Sequence, residues 1–212
     1  MKEENSFFDK LQGLQNESID AIVKARLKGS FDPNYQFPYY AGVIDDYNLM
    51  QAMIKARDDV NEIHKFVDPC CGDGFSLILA NKVGYNAYGV EIENALVDIA
   101  NENITEARRA GLIPINDVVE VTQGDMFNLS SYESLGISFA DIDVFYLYAL
   151  ESMKMDFFKQ FSQEAKLGSK LILVPGLKEN RTQSLLDSLS GSIGMFYKEP
   201  TEGMYQIYQK IK

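Results

Sequence analysis

The 212-residue chain predicts an α/β fold: a mostly parallel, seven-stranded sheet with helices on both faces and an antiparallel hairpin at the C-terminus. Three observations carry that expectation. From Lys65 onward, short apolar runs alternate with helical periodicities in β-α-β-α-β order. The fourth run, Ile142 to Leu147, is apolar enough for the middle of a parallel sheet. The last two β-rich runs are separated by Glu199-Pro200-Thr201-Glu202-Gly203, which reads as a hairpin loop.

In chain order, Phe8, Leu11, Leu14, Ile19, Ile22 and Val23 recur at helical spacing between Phe7 and Leu27, and Gly29 is the stop. Phe31 to Tyr40 holds two prolines and five aromatics, which disfavour helix and supply ring surface for a lid or for tying the extension to the core. A helix is expected from Asp45-Asp46 to Arg57, with Tyr47, Met50, Met53 and Ile54 on its apolar face. Lys65–Asp68 is the first strand, Phe75 to Lys82 a helix, and Tyr85 to Ile92 the second strand. Leu96, Ile99, Ala100, Ile104 and Ala107 mark a helix that ends near Gly111, and Val118 to Thr122 is the third strand.

After the fourth strand, Phe157, Phe158, Phe161 and Ala165 share a helix that stops at Gly168, before strand Leu171–Val174. Leu185, Leu186 and Leu189 mark one more helix; Ile193–Lys198 and Tyr205–Ile211 form the hairpin. The expected organisation is an N-terminal helical extension with an aromatic lid over 1–38 and one globular domain over 39–212.

Composition narrows the function classes. A net charge of −11 argues against a broad phosphate-neutralising surface, so DNA is not an expected partner. Neither a secretory leader nor an uninterrupted apolar span is legible, so a cytoplasmic protein without membrane attachment is expected. The only two cysteines, Cys70 and Cys71, are adjacent, and His64 is the only histidine, so reduced thiols and no metal site are expected. His64, just before the first strand, is assigned a structural place.

The chemistry concentrates at Phe66-Val67-Asp68-Pro69-Cys70-Cys71-Gly72-Asp73-Gly74-Phe75, an apolar strand that ends in an acid and turns through small residues into a helix. Gly72 and Gly74 remove Cβ atoms where the chain turns and a ligand must approach the backbone. A carboxylate at the strand tip repels pyrophosphate but welcomes a cation or a ribose hydroxyl, which points to S-adenosylmethionine with its sulfonium and α-ammonium. Glu91 ends the next strand, where it can accept ribose hydroxyls, and Gly124-Asp125-Met126 follows the third. There Asp125 suits the adenine amino group and Met126 the ring face. Asp73 in the turn and Tyr40 in the lid complete the expected cofactor-binding set.

On these residues the chain resembles the class I, Rossmann-like S-adenosylmethionine-dependent methyltransferases, from about Tyr39 to the C-terminus. Their first loop reads acid-x-Gly-x-Gly-x-Gly; Asp68, Cys70, Gly72 and Gly74 stand at its marked positions, with Cys70 departing from the first glycine. The resemblance implies Asp68 on the methionine portion, Glu91 on the ribose and Asp125 on the adenine. Tyr146-Leu147, Tyr39-Tyr40 and Gly89-Val90-Glu91 also look like the small protein-lysine methyltransferases of the histone-methylating Dot1 type. The implied activity is N-methylation of a protein amine, with Tyr146 and Tyr148 as candidate catalytic wall, sent to one face by strand alternation.

Competing readings are a small-molecule or RNA methyltransferase and a non-catalytic cofactor-binding scaffold. An NAD-dependent oxidoreductase is disfavoured because Leu77 stands where the dinucleotide fingerprint needs its third glycine.

Overall fold

The computed structural model describes residues 2–32, 46–57, 62–174, 196–199 and 205–211. Tyr40, the rest of the aromatic segment over 33–40, the helix expected around Leu185 to Leu189 and the hairpin loop over 200–204 lie outside them.

Seven strands form one sheet in the order β3-β2-β1-β4-β5-β7-β6. They are β1 (His64–Asp68), β2 (Tyr85–Glu91), β3 (Val119–Gln123), β4 (Val144–Leu147), β5 (Lys170–Leu173), β6 (Phe196–Glu199) and β7 (Gln206–Lys210). β1 through β5 pair in parallel, while β7 runs antiparallel to both neighbours, so the C-terminal pair is the expected hairpin. The strand order reverses at β1, and ligands of open α/β sheets gather at such a reversal, beyond the carboxyl ends of the strands.

Six α-helices accompany these strands among the described residues: α1 (Lys2–Leu27), α2 (Asp46–Ala56), α3 (Phe75–Val83), α4 (Asn94–Arg109), α5 (Leu129–Glu133) and α6 (Glu151–Glu164). Strand alternation sorts the core into two layers. Phe66, Ala87, Val144, Tyr146 and Ile172 pack with α2, α3 and α4; Val67, Val90, Phe145, Leu147 and Leu173 pack with Tyr132 of α5 and Phe157, Phe158 and Phe161 of α6. No helix among the described residues is long and apolar enough to cross a membrane.

Two helix faces differ from the sequence expectation. In α2, Leu49, Met50, Met53 and Ala56 are buried, whereas Tyr47 and Ile54 are about half exposed. Both stripes have helical spacing, and packing onto α3 selects the one centred on Leu49 and Met53. In α1 the buried positions are Phe7, Leu11, Ser18 and Ile22, so a polar residue occupies the buried stripe while Val23 faces outward.

Candidate functional site

β1 and β2 lie in register, Asp68 beside Gly89, and β2 and β3 continue it, Glu91 beside Gln123. The ends of three neighbouring strands therefore deliver Asp68, Glu91 and the Gly124-Asp125 turn to one edge. Backbone bonds close the assembly: the Cys71 N–H donates to the Val90 carbonyl at 3.1 Å and the Gly124 N–H to the Glu91 carbonyl at 2.9 Å.

The turn after β1 depends on glycine. Gly72 and Gly74 sit at φ +54° and +82°, conformations that disfavour other residues. A Cβ at Gly72 would meet open space, whereas one at Gly74 would stand 3.2 Å from the Ala100 Cβ. Gly72 thus leaves the backbone approachable from outside, and Gly74 lets α3 close onto α4. Gly89 makes room beneath the turn: a Cβ there would lie 2.6 Å from the Cys71 Sγ and 2.8 Å from Leu77.

Asp68 is buried and accepts from the Cys70 N–H at 3.0 Å and the Ser76 hydroxyl at 2.5 Å. Burial pushes its pKa from 3.8 up to about 7; the two hydrogen bonds oppose that rise, and the charges of Glu91 and Asp73 add to it. Glu91 is also buried; one carboxylate oxygen accepts from the Gly72 N–H at 3.0 Å, the other from the Glu93 N–H at 2.9 Å.

Asp125 is exposed and caps its own turn, accepting from the Phe127 N–H at 2.9 Å. The Cys70 thiol is driven well above its ordinary pKa by burial first and then by Asp68, Glu91 and Asp125, so all three carboxylates act on one small side chain. Cys71 is raised in the same way, with burial the main cause. Thiols raised in this way hold little of the thiolate that acts as a nucleophile.

No protein-family model matches the chain. Several solved structures share its fold. An O-methyltransferase from Bacillus cereus in complex with SAH is 16% identical, with a TM-score of 0.59 over 94% of this chain and 91% of that one. A ribosomal protein L11 methylase from Lactobacillus delbrueckii subsp. bulgaricus is 15% identical, with a TM-score of 0.55 over 84% and 90%. An RNA methyltransferase from Salinibacter ruber in complex with S-adenosyl-L-homocysteine is 22% identical, with a TM-score of 0.50 over 76% and 88%. The fold is that of the class I methyltransferases.

Within this methyltransferase fold the remaining candidates fall into distinct places. Met126 is buried between the turns: its sulfur accepts from the Cys70 Sγ at 3.2 Å, and its carbonyl accepts from the Tyr132 hydroxyl at 2.7 Å. Asp73 turns its carboxylate toward α1 and accepts from the Ser18 hydroxyl at 2.9 Å. Tyr146 and Tyr148 lie on the α2–α3 side of the sheet, Tyr146 fully buried and Tyr148 partly so. The Tyr146 ring stacks on Phe66 and packs against Tyr205 at centroid distances of 6.5 and 6.4 Å. Its hydroxyl has no hydrogen-bond partner among the described residues. Burial and then Tyr205, Asp68, Tyr148 and Asp46 hold that phenol well above the ordinary tyrosine pKa.

Sequence reasoning missed Ser76, Glu93, Ser18 and Asn103. Ser76 was detectable as a polar residue in the apolar opening of α3, and Glu93 as a second acid two positions after Glu91. Glu93 caps α4 through the Ala95 N–H at 3.3 Å.

Proposed function

We propose that this chain is a cytoplasmic S-adenosylmethionine-dependent methyltransferase that N-methylates a protein amine, a lysine, with the cofactor held by the domain over 39–212. The observation that carries the cofactor half is that three neighbouring strand ends bring Asp68, Glu91 and the Gly124-Asp125 turn to one edge, with Asp68 and Glu91 bonded to the amides of Cys70 and Gly72. The chemistry of that set fits a cationic nucleoside. Asp68 is the group for the α-ammonium, directly or through water; Glu91 is the group for the ribose hydroxyls and Asp125 for the adenine amino group. The open space beside Gly72 lets the ligand reach the backbone. Two of the neighbours in this fold were solved with S-adenosylhomocysteine.

When bound, S-adenosylmethionine supplies an electrophilic methyl group on a sulfonium. The protein then has to orient a lone pair opposite the S–CH3 bond and exclude water. Tyr146 and Tyr148 are the wall assigned to that task. A desolvated phenol wall disfavours a charged ammonium and so favours the neutral amine, which alone has the attacking lone pair. The neighbour named a ribosomal protein methylase supports a protein acceptor. The neighbours named O-methyltransferase and RNA methyltransferase favour the second reading, a small-molecule or RNA acceptor.

Methyl-labelled S-adenosylmethionine, incubated with the chain and fractionated lysate, tests both readings at once. Label in protein, lost with Asp68→Ala, supports the first; label only in RNA or low-mass material supports the second. Nucleoside binding without label transfer to any fraction would leave a scaffold.

A further inference from the structure

We propose that the N-terminal helix is a working part of the nucleoside site, with Ser18 as a positioning residue that acts through Asp73 on the glycine turn. The inference rests on the cofactor reading above for its ligand, and on hydrogen bonds alone for its mechanics. Ser18 is 1% exposed in the stripe by which α1 packs, where an apolar side chain would dock the helix equally well. A helical serine can also satisfy its hydroxyl on its own backbone one turn earlier. Here it reaches out of the helix and donates to Asp73 Oδ2 at 2.9 Å.

The same hydroxyl accepts from the Asn103 side-chain amide of α4 at 3.1 Å, and that amide also donates to the Asp73 carbonyl at 2.9 Å. Asp73 is thus held at its side chain by one helix and at its backbone by another. It stands between Gly72 and Gly74, the two residues of the turn with the weakest intrinsic preference for one conformation. A turn built from two positive-φ glycines keeps one geometry only if something outside it supplies the restraint. Glu91 supplies it at the Gly72 amide, and Ser18 and Asn103 supply it at Asp73, between the two glycines.

A second link runs from the end of the same extension. The Asp32 N–H donates to Glu93 Oε2 at 3.0 Å, and Glu93 is bonded to Glu91, whose other oxygen holds the Gly72 N–H. Ile22, Leu96 and Ile99, with Phe31 against them, bury the joint between α1 and α4. The extension therefore reaches the turn after β1 and the acid at the tip of β2 by separate routes. A residue that touches no ligand then sets the geometry of the atoms that do.

The test uses the full chain and two measurements: affinity for S-adenosylhomocysteine by calorimetry, and hydrogen exchange of the amides over 71–76, which needs no ligand. Ser18→Ala is expected to weaken affinity on the order of tenfold, the scale of one hydrogen bond to a charged buried acceptor, and to speed exchange in the turn. Asn103→Ala is expected to do the same by the second grip, and Ser18→Thr, which keeps a hydroxyl, to restore both readouts. Ile22→Val trims the same helix joint without touching Asp73, and should lower thermal stability while leaving both readouts in place. Unchanged affinity and exchange in Ser18→Ala, or equal changes in Ile22→Val, would overturn the inference. If the unaltered chain binds no S-adenosylhomocysteine or S-adenosylmethionine, the cofactor reading fails, and turn exchange alone decides whether Ser18 holds the turn.

Discussion

The Glu91 carboxylate accepts the Gly72 amide at 3.0 Å, across the gap between the second strand and the turn that follows the first. A single side chain thereby fixes the spacing of the two loops assigned to the nucleoside, because its other oxygen holds the Glu93 amide at the start of α4.

Glu91→Ala should consequently lose more than a ligand contact. It strands two backbone donors, each costing about 1–3 kcal/mol when buried and unpaired, and removes a charge-assisted bond to the ribose. The expected outcome is a thermal midpoint lower by several degrees together with S-adenosylmethionine affinity weakened by about 1–3 kcal/mol in calorimetry. A midpoint that falls while affinity holds would separate Glu91 from the ribose.

Asp68 links pH to both stability and binding. Its folded-state pKa of about 7 lies above the ordinary 3.8, so between those values the folded chain holds a proton that the unfolded chain has lost. The stability tied to that proton is fully present below about pH 4 and is lost as pH rises through 7. Asp68→Asn, neutral throughout, should flatten the stability profile over this window and melt higher than the unaltered chain at pH 8, both without ligand. The same substitution should weaken S-adenosylmethionine binding. In the unaltered chain, binding should tighten from pH 6 to pH 8 with proton release, read by calorimetry in buffers of different ionisation enthalpy.

Gly89 tests the packing under the turn. In Gly89→Ala the new methyl group would enter the space of the Cys71 Sγ and Leu77, so a loss of about 1–3 kcal/mol is expected, at roughly 2–4 °C of midpoint per kcal/mol. Cys71→Ala in that background should recover part of the loss, and the departure from additivity in thermal melts measures the contact. Full additivity would place the strain elsewhere.

What was legible in the sequence was local. An acid at a strand tip, glycines where φ must be positive, and a second acid one β-α-β unit later announce themselves through backbone geometry and charge, and the strand ends that carry Asp68 and Glu91 and lead into Asp125 lie side by side. The five-residue α5 was too short to show a period. The buried face of α2 was undetermined because Met50 and Met53 are flanked by apolar residues on both sides, Tyr47 and Ile54 on one and Leu49 and Ala56 on the other, and only tertiary contact selects between them. Ser18 was invisible for a related reason: a serine in an apolar stripe reads as an interruption until its partner, 55 residues away, is known.

Tyr146 provides the sharpest test of the acceptor site. Its hydroxyl is buried without a partner among the described residues, and such a group costs about 1–3 kcal/mol unless something pairs with it. Its ring is already satisfied by Phe66 and Tyr205. Because burial and its acidic and phenolic neighbours hold the pKa well above the ordinary value, it works as a neutral hydrogen-bonding group and not as a phenolate base. Tyr146→Phe keeps the ring and deletes only the costly atom, so the melting midpoint should stay level or rise. If the hydroxyl pairs with the incoming amine, labelled-methyl transfer should fall about tenfold or more, with S-adenosylmethionine affinity nearly unchanged. A midpoint several degrees lower would mean that the hydroxyl already has a structural partner. Transfer at the original rate would remove Tyr146 from the acceptor wall and leave it as core.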